Sequence, residues 1–172
     1  DSRDPSGCNL SETAKHYIAG LLKYAPEFCL ITNQNVNSYK RLVDQREVGS
    51  CISWGHGNRS TLVRVPGYRP HRPDACRVEL RSPDPAANPY LAFAVMLAAG
   101  LAGIEEGLPL PDPIEDRNFF ACTREGAREG GCELLPFNLG EAVDRFEASE
   151  LMKRTLGEHI HSYLVRTKRA EW

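Results

Sequence analysis

Arg77-Val78-Glu79-Leu80-Arg81, followed by Ser82-Pro83-Asp84-Pro85-Ala86-Ala87-Asn88-Pro89-Tyr90, decides how the rest of this chain is read. Val78 and Leu80 alternate with three charged residues, the period-two signature of a short strand with one apolar face. Arg77, Glu79 and Arg81 therefore leave the same face, about 7 Å between neighbours given two residues of strand rise. Glu79 between two guanidinium groups stays ionised and is a hard oxygen ligand for Mg²⁺ or Mn²⁺. Arginine is the residue for a two-pronged grip on phosphate or carboxylate. An isolated pattern of this kind is usually a solvated strand face with cross-strand ion pairs. Here Arg59, in Asn58-Arg59-Ser60, and Arg64, on the polar side of an apolar run over Leu62–Val65, add further arginines from the neighbouring segment.

Downstream of the strand, Asn88 reads as a helix cap with Pro89 at the first turn. The helix from Asn88 to about Glu105 has no charge between Leu91 and Ile104, so it is expected to be the most buried element. It is shorter than the ~20 residues of a membrane span. Gly107 and Pro109 end it.

The chain has 172 residues, 41% hydrophobic and 26% charged, with a net charge of −2. These values fit one soluble globular domain and leave no basic footprint for nucleic acid. No basic-then-apolar leader is visible at the amino terminus. The opening Asp1–Gly7 reads as loop, and the chain reads as an excised piece of a longer one. Six cysteines, at 8, 29, 51, 76, 122 and 132, lack any Cys-x-x-Cys spacing. They are expected to be reduced, unconnected thiols in a cytoplasmic protein.

Ser11 caps a helix whose apolar positions Ala14, Tyr17, Ile18, Leu21 and Leu22 keep helical spacing, and Pro26 is expected to stop or restart it. Thr32–Ser38 is turn-forming. Ile52 and Trp54 alternate as a strand, followed by Gly55-His56-Gly57, a weak phosphate-loop signal without a Walker pattern. His56, Arg69 and Arg72 are assigned no role. Residues 112–135 read as a mobile surface excursion. Asn138 and Ser149 or Glu150 open two helices of the 138–172 tail.

Four pieces stand in a fixed order: Asn37-Ser38-Tyr39-Lys40-Arg41-Leu42-Val43, Asn58-Arg59-Ser60, Arg77–Arg81, and Pro83-Asp84-Pro85-Ala86-Ala87-Asn88-Pro89-Tyr90-Leu91-Ala92. Together they resemble the carboxy-terminal part of the catalytic domain of the glutamine synthetases, type I-like. The resemblance is strong from Leu10 to Leu110 and looser in the tail. It implies an α+β fold with a small, mainly antiparallel sheet packed with helices. It implies a glutamate–ammonia ligase that uses ATP and Mg²⁺ or Mn²⁺ and passes through γ-glutamyl phosphate. The family assembles as homo-oligomeric rings, commonly two stacked hexamers. By motif, Glu79 takes the place of a metal-binding glutamate, and Arg41 and Arg81 of the glutamate-binding arginines. Arg59 takes the place of the arginine facing the transferred phosphoryl group, and Arg64 and Arg77 of arginines near the ATP phosphates. Glu47, counted without gaps from Arg41, falls on the flap glutamate that closes the ammonia side.

Departures cluster where the amine enters. Asp44-Gln45-Arg46 replaces the family's Pro-Gly-Tyr, and Val48-Gly49 its Ala-Pro. Trp54-Gly55 looks more like the branch that ligates glutamate to larger amines. The alternatives are therefore a γ-glutamyl-amine or polyamine ligase, or a non-catalytic relative acting in assembly. Most of the family's metal ligands would lie upstream of Asp1, so the piece by itself is expected to be inactive. Asp116-Arg117-Asn118-Phe119-Phe120 aligns with a string that ends, in some family members, in a tyrosine that receives AMP. Phe120 has no hydroxyl to modify.

Overall fold

The computed structural model of the chain describes residues 9–44, 49–67, 76–119 and 131–172. Helix α1 spans Glu12–Thr32 and opens on Ser11, whose hydroxyl accepts from the Ala14 N–H at 3.1 Å. Pro26 neither stops nor restarts it. The helix runs on to Thr32, and the Asn33 N–H closes it on the Cys29 carbonyl at 2.8 Å. An interior proline costs about 3 kcal/mol. Leu21, Leu22, Ala25, Phe28 and Cys29 are all buried around Pro26. Each large apolar side chain so buried returns roughly 2 kcal/mol, which outweighs the local penalty.

Helix α2, Val36–Asp44, follows a tight turn. Strands β1 (Cys51–Gly55), β2 (Thr61–Arg64) and β3 (Glu79–Leu80) form a sheet in that order. The α+β class holds, and the sheet is mixed: β1 and β2 run parallel, β2 and β3 antiparallel. In the parallel pair Cys51 lies opposite Thr61. Residues 56–60 therefore carry the chain back along β1, and Arg59 sits on that return turn. Arg64 and Glu79 are direct cross-strand partners.

Helix α3, Pro89–Glu105, starts as read: the Asn88 side chain accepts from the Tyr90 and Leu91 N–H groups. It ends at Gly107, whose φ of 62° only glycine adopts easily. The expectation that α3 is the most buried element fails. Tyr90, Phe93, Leu97 and Leu101 are exposed along one face, and α1 contributes more of the core. Composition says only that a helix lacks charge; which faces are covered depends on partners. α3 packs on α1 through glycines. A Cβ on Gly20 would lie 2.9 Å from the Gly103 Cα, and one on Gly103 would lie 2.6 Å from the Gly20 Cα.

Helices α4 (Leu139–Glu147) and α5 (Glu150–Glu171) are capped by Asn138 and Ser149. Phe146 of α4 is fully buried and stacks on His161, whose Nε2 lies 3.0 Å from the Phe146 carbonyl oxygen. Gly157, at φ 76°, breaks α5. Among the described residues no helix is long and apolar enough to cross a membrane.

Two expectations about the downstream segments are corrected. Cys51 and Cys132 form a disulfide, with Cα atoms 6.2 Å apart and a separation of 81 positions in sequence. Residues 133–135 run along β1, with the Ile52 N–H on the Glu133 carbonyl at 2.8 Å and the Leu135 N–H on that of Ser50 at 2.9 Å. That pairing brings the two thiols together, and short-range cysteine spacing cannot register it. Cys29 and Cys76 are free thiols, one buried and one exposed; Cys8 and Cys122 lie outside the described residues. Nor is the described part of 112–135 a loose excursion. Ile114 donates its N–H to the Trp54 carbonyl at 2.9 Å, and the Phe119 ring is buried beside the disulfide. Phe120 lies outside the described residues.

Candidate active site

Because β2 and β3 are antiparallel with Arg64 opposite Glu79, and because Arg77, Glu79 and Arg81 share a face, three guanidinium groups converge on one carboxylate. Arg64 Nη1 is 3.0 Å from Glu79 Oε2, Arg77 Nε is 3.1 Å from Oε1, and Arg81 Nη1 is 3.9 Å from Oε2. Arg64 is held from behind by the His56 carbonyl, to which its Nε donates at 3.3 Å. Arg81 Nε donates to the Arg59 carbonyl at 2.8 Å. That bond ties the return turn of residues 56–60 to the arginine row. The Arg59 side chain is exposed, and its guanidinium has no partner among the described residues.

Arg41 reaches the same edge from α2. Its Nη2 donates to the carbonyl of Ser82, the residue after Arg81, and lies 3.4 Å from Asn33 Oδ1. Its Nε is buried and finds no acceptor among the described residues. Asn33 is fully buried and donates to Thr32 Oγ1 at 3.0 Å. Beneath this layer burial pushes the Cys29 thiol up to about 12 and raises the Tyr39 phenol as well, so both stay neutral.

Of the residues singled out in the sequence, the structure therefore brings together Arg64, Arg77, Glu79 and Arg81, with Arg59 and Arg41 joined to them through backbone carbonyls. Glu47, Arg69 and Arg72 lie outside the described residues. The surplus of positive charge around Glu79 is two units before Arg41 and Arg59 are considered. Arg64, Glu79 and Arg81 are mostly buried and only Arg77 is half-exposed, so the cost of desolvation offsets much of the attraction within these pairs, and the like-charged arginines repel one another. The cluster is better suited to holding anions, phosphate or carboxylate, than to holding the fold. Its residues alone do not make a divalent-cation site. Among the described residues no three of His, Cys, Asp and Glu gather, and both Glu79 oxygens face guanidinium groups.

A cavity of about 350 Å³ adjoins the cluster, lined in part by Val65, Pro66, Cys76 and Arg77. A larger one of about 600 Å³ lies elsewhere, between Pro26, residues 131–137 and α4. None of the converging arginines lines it.

Sequence reasoning missed Glu115, Asn58 and Trp54 as organisers of the site. Glu115 Oε1 accepts from the His56 N–H, and Oε2 accepts from the Gly57 N–H at 3.1 Å. Asn58 Nδ2 donates to the carbonyls of Ile114 at 2.9 Å and Arg117 at 2.7 Å. Trp54 Nε1 donates to the Pro111 carbonyl at 2.7 Å. The Glu115 bonds join residues almost sixty positions apart, and no local pattern announces them. Asn33 stood inside a stretch already read as turn-forming.

The chain is an α+β unit that sets a row of arginines about a single strand glutamate. Residues 2–172 match the family model described as glutamine synthetase, catalytic domain, and the chain belongs to that family. It is 53% identical over 163 residues to a glutamine synthetase of Mycolicibacterium smegmatis, a match that covers 95% of this chain and 36% of the relative. It is 47% identical over 171 residues to one from Methanocaldococcus jannaschii, covering 98% of this chain and 37% of the relative. Two solved structures align closely. One is GmaS without ligand, at 39% identity and TM-score 0.77, covering 96% of this chain and 35% of the other. The second is a GmaS/ADP complex, at 36% identity and TM-score 0.79, covering 96% and 37%. The chain thus spans just over a third of the length of the curated relatives it matches.

Proposed function

We propose that this chain contributes the arginine-bearing wall of the active site of an ATP-dependent glutamate–ammonia ligase. The observation that carries the reading is the convergence of Arg64, Arg77 and Arg81 on Glu79, with Arg41 hydrogen-bonded to the Ser82 carbonyl. Activating a carboxylate for amide formation puts the substrate carboxylates and the phosphates of ATP, all anions, in one place. Fixed cations relieve that repulsion, most of all as charge shifts in phosphoryl transfer.

In this reading Arg64 and Arg77 grip the phosphates of ATP, and Arg59, exposed at the turn, faces the phosphoryl group on its way to the glutamate side chain. Arg81 and Arg41 hold glutamate. Glu47 closes the ammonia side and accepts a proton from ammonium. Glu79 would be this chain's residue for lending a carboxylate oxygen to a divalent cation, Mg²⁺ or Mn²⁺, which would neutralise phosphate charge, with the remaining ligands supplied from outside the described residues. A homo-oligomer, as in the family, is part of the proposal, as is a cytoplasmic location.

The full-length protein should form glutamine from glutamate, ammonium and ATP with release of phosphate. Arg81→Lys keeps the charge and removes the fork. It should raise the KM for glutamate by about 10- to 100-fold, with a smaller change for ATP, the loss of about one or two tenfold steps in binding. An unchanged glutamate KM would remove Arg81 from the substrate site. A second reading, a ligase for larger amines, is favoured by the Trp54-Gly55 sequence and the departures over Asp44–Gly49. Faster turnover with putrescine or an alkylamine than with ammonium would select it.

A further inference from the structure

We infer that Glu115 is a positioning residue for Arg59, acting through the backbone of the return turn. The inference rests on the functional reading above only in giving Arg59 a reacting anion to face.

Residues 111–119 form a strap over the turn that joins β1 to β2. One of its fastenings is backbone to backbone, and the others pair a side chain with a backbone group. Trp54 Nε1 holds the Pro111 carbonyl, the Trp54 carbonyl takes the Ile114 N–H, and Asn58 Nδ2 holds the carbonyls of both Ile114 and Arg117. The Phe119 N–H donates to Ser60 Oγ at 3.0 Å, and Phe119 is buried. Between these points the Glu115 carboxylate caps two successive N–H groups, those of His56 and Gly57. Two adjacent N–H groups turned the same way make a concave anion seat, and here the chain fills the seat with its own carboxylate.

The approach is close enough to constrain the sequence beneath it. A Cβ on Gly55 would lie 2.7 Å from the Ile114 carbonyl oxygen and 3.1 Å from Glu115 Oε1. Glycine at 55 thus lets the strap descend. The glycine-rich stretch that looks like a phosphate loop in the sequence is, in the fold, the seat of Glu115.

Arg59 lies two residues beyond Gly57. Its carbonyl is already fixed by Arg81 Nε, and Asn58 and Ser60 on either side are fixed by the strap. The Glu115 seat closes the remaining side of the turn. A guanidinium with no side-chain partner takes its aim from its backbone, and a misplacement of about 1 Å at a reacting centre can cost on the order of 100-fold in rate.

The test uses the full-length protein, with Glu115→Gln and Glu115→Asp made in both the wild-type and Arg59→Lys backgrounds. Asp116→Asn, one place along the strap, serves as control. Glutamine keeps one acceptor oxygen and sets an NH₂ group against the second N–H; aspartate is one methylene short. Amide hydrogen exchange of a peptide covering residues 55–60 should speed up about tenfold in Glu115→Gln and stay unchanged in Asp116→Asn. In the wild-type background kcat should fall about tenfold with little change in the KM values for ATP and glutamate. In the Arg59→Lys background the same change should cost less than about twofold, because residues that act as a unit are not additive. Equal losses in both backgrounds, or a loss confined to KM, would overturn the inference. So would unaltered exchange at 55–60. A wild-type protein with no ligase turnover would instead overturn the function proposed above, and the exchange rates would still decide the seat. Glu115→Asp covers the case in which Glu115→Gln does not fold.

Discussion

Glu79 sits among three guanidinium groups, and the two free thiols show how differently one side-chain type behaves in this fold. Cys29 is buried, and burial disfavours its thiolate, which pushes its titration from near 9 up to about 12. Cys76 is exposed beside Arg77. Alkylation needs the thiolate. With iodoacetamide at pH 8 in native protein, Cys76 should be modified and Cys29 should stay unmodified until the protein unfolds. The folded value of Cys29 lies above the unfolded one. Its contribution to stability is thus complete below about pH 9 and is lost as pH rises from there toward 12. Equal labelling of the two thiols in the native state would mean that Cys29 is reached by solvent. At this scale the arginine row was legible, because alternation along Arg77–Arg81 is a local property of a strand. Glu115 was not, because its partners are backbone N–H groups, which carry no residue identity.

Helix ends were legible for the same reason. Ser11, Asn88, Asn138 and Ser149 each bond an N–H two or three residues on, so the signal is contained in four letters. The course of α1 through Pro26 and the uncovered face of α3 were not, since both depend on what packs alongside. The glycines at the α1–α3 crossing make the point quantitatively. Gly103 meets the Gly20 backbone, whereas nothing lies near Gly107, which is constrained only by its φ of 62°. Gly103→Ala must separate two helices and should cost about 2–3 kcal/mol, the upper part of the range for overpacking. Gly107→Ala should cost about 1 kcal/mol, the penalty for an L-residue in that region. Chemical denaturation of the two variants measures the order directly. A larger loss at Gly107 would mean that α1 and α3 do not cross as closely as Gly20 and Gly103 require.

Across the whole molecule, the disulfide joins elements that the chain order keeps far apart. The family and the α+β class could be read from short motifs, but this link could not, because it depends on residues 133–135 lying along β1. With 81 residues of separation, loop closure limits the unfolded chain enough to stabilise the fold by about 4.5 kcal/mol in the chain-entropy picture. Cys51→Ser with Cys132→Ser should therefore lower the thermal midpoint by roughly 9–18 °C and abolish any further effect of dithiothreitol. A reductant that destabilises the double variant as much as the wild type would show that the bond is absent in solution. Between its two ends the bond encloses β2, β3 and α3, and with them Arg59, Arg64, Arg77, Glu79 and Arg81. A protease that cuts once anywhere from residue 52 to residue 131 opens a ring and releases no fragment. Such a nicked protein would migrate as one covalent body until a reductant is added, with the arginine-bearing strands still leashed to α1.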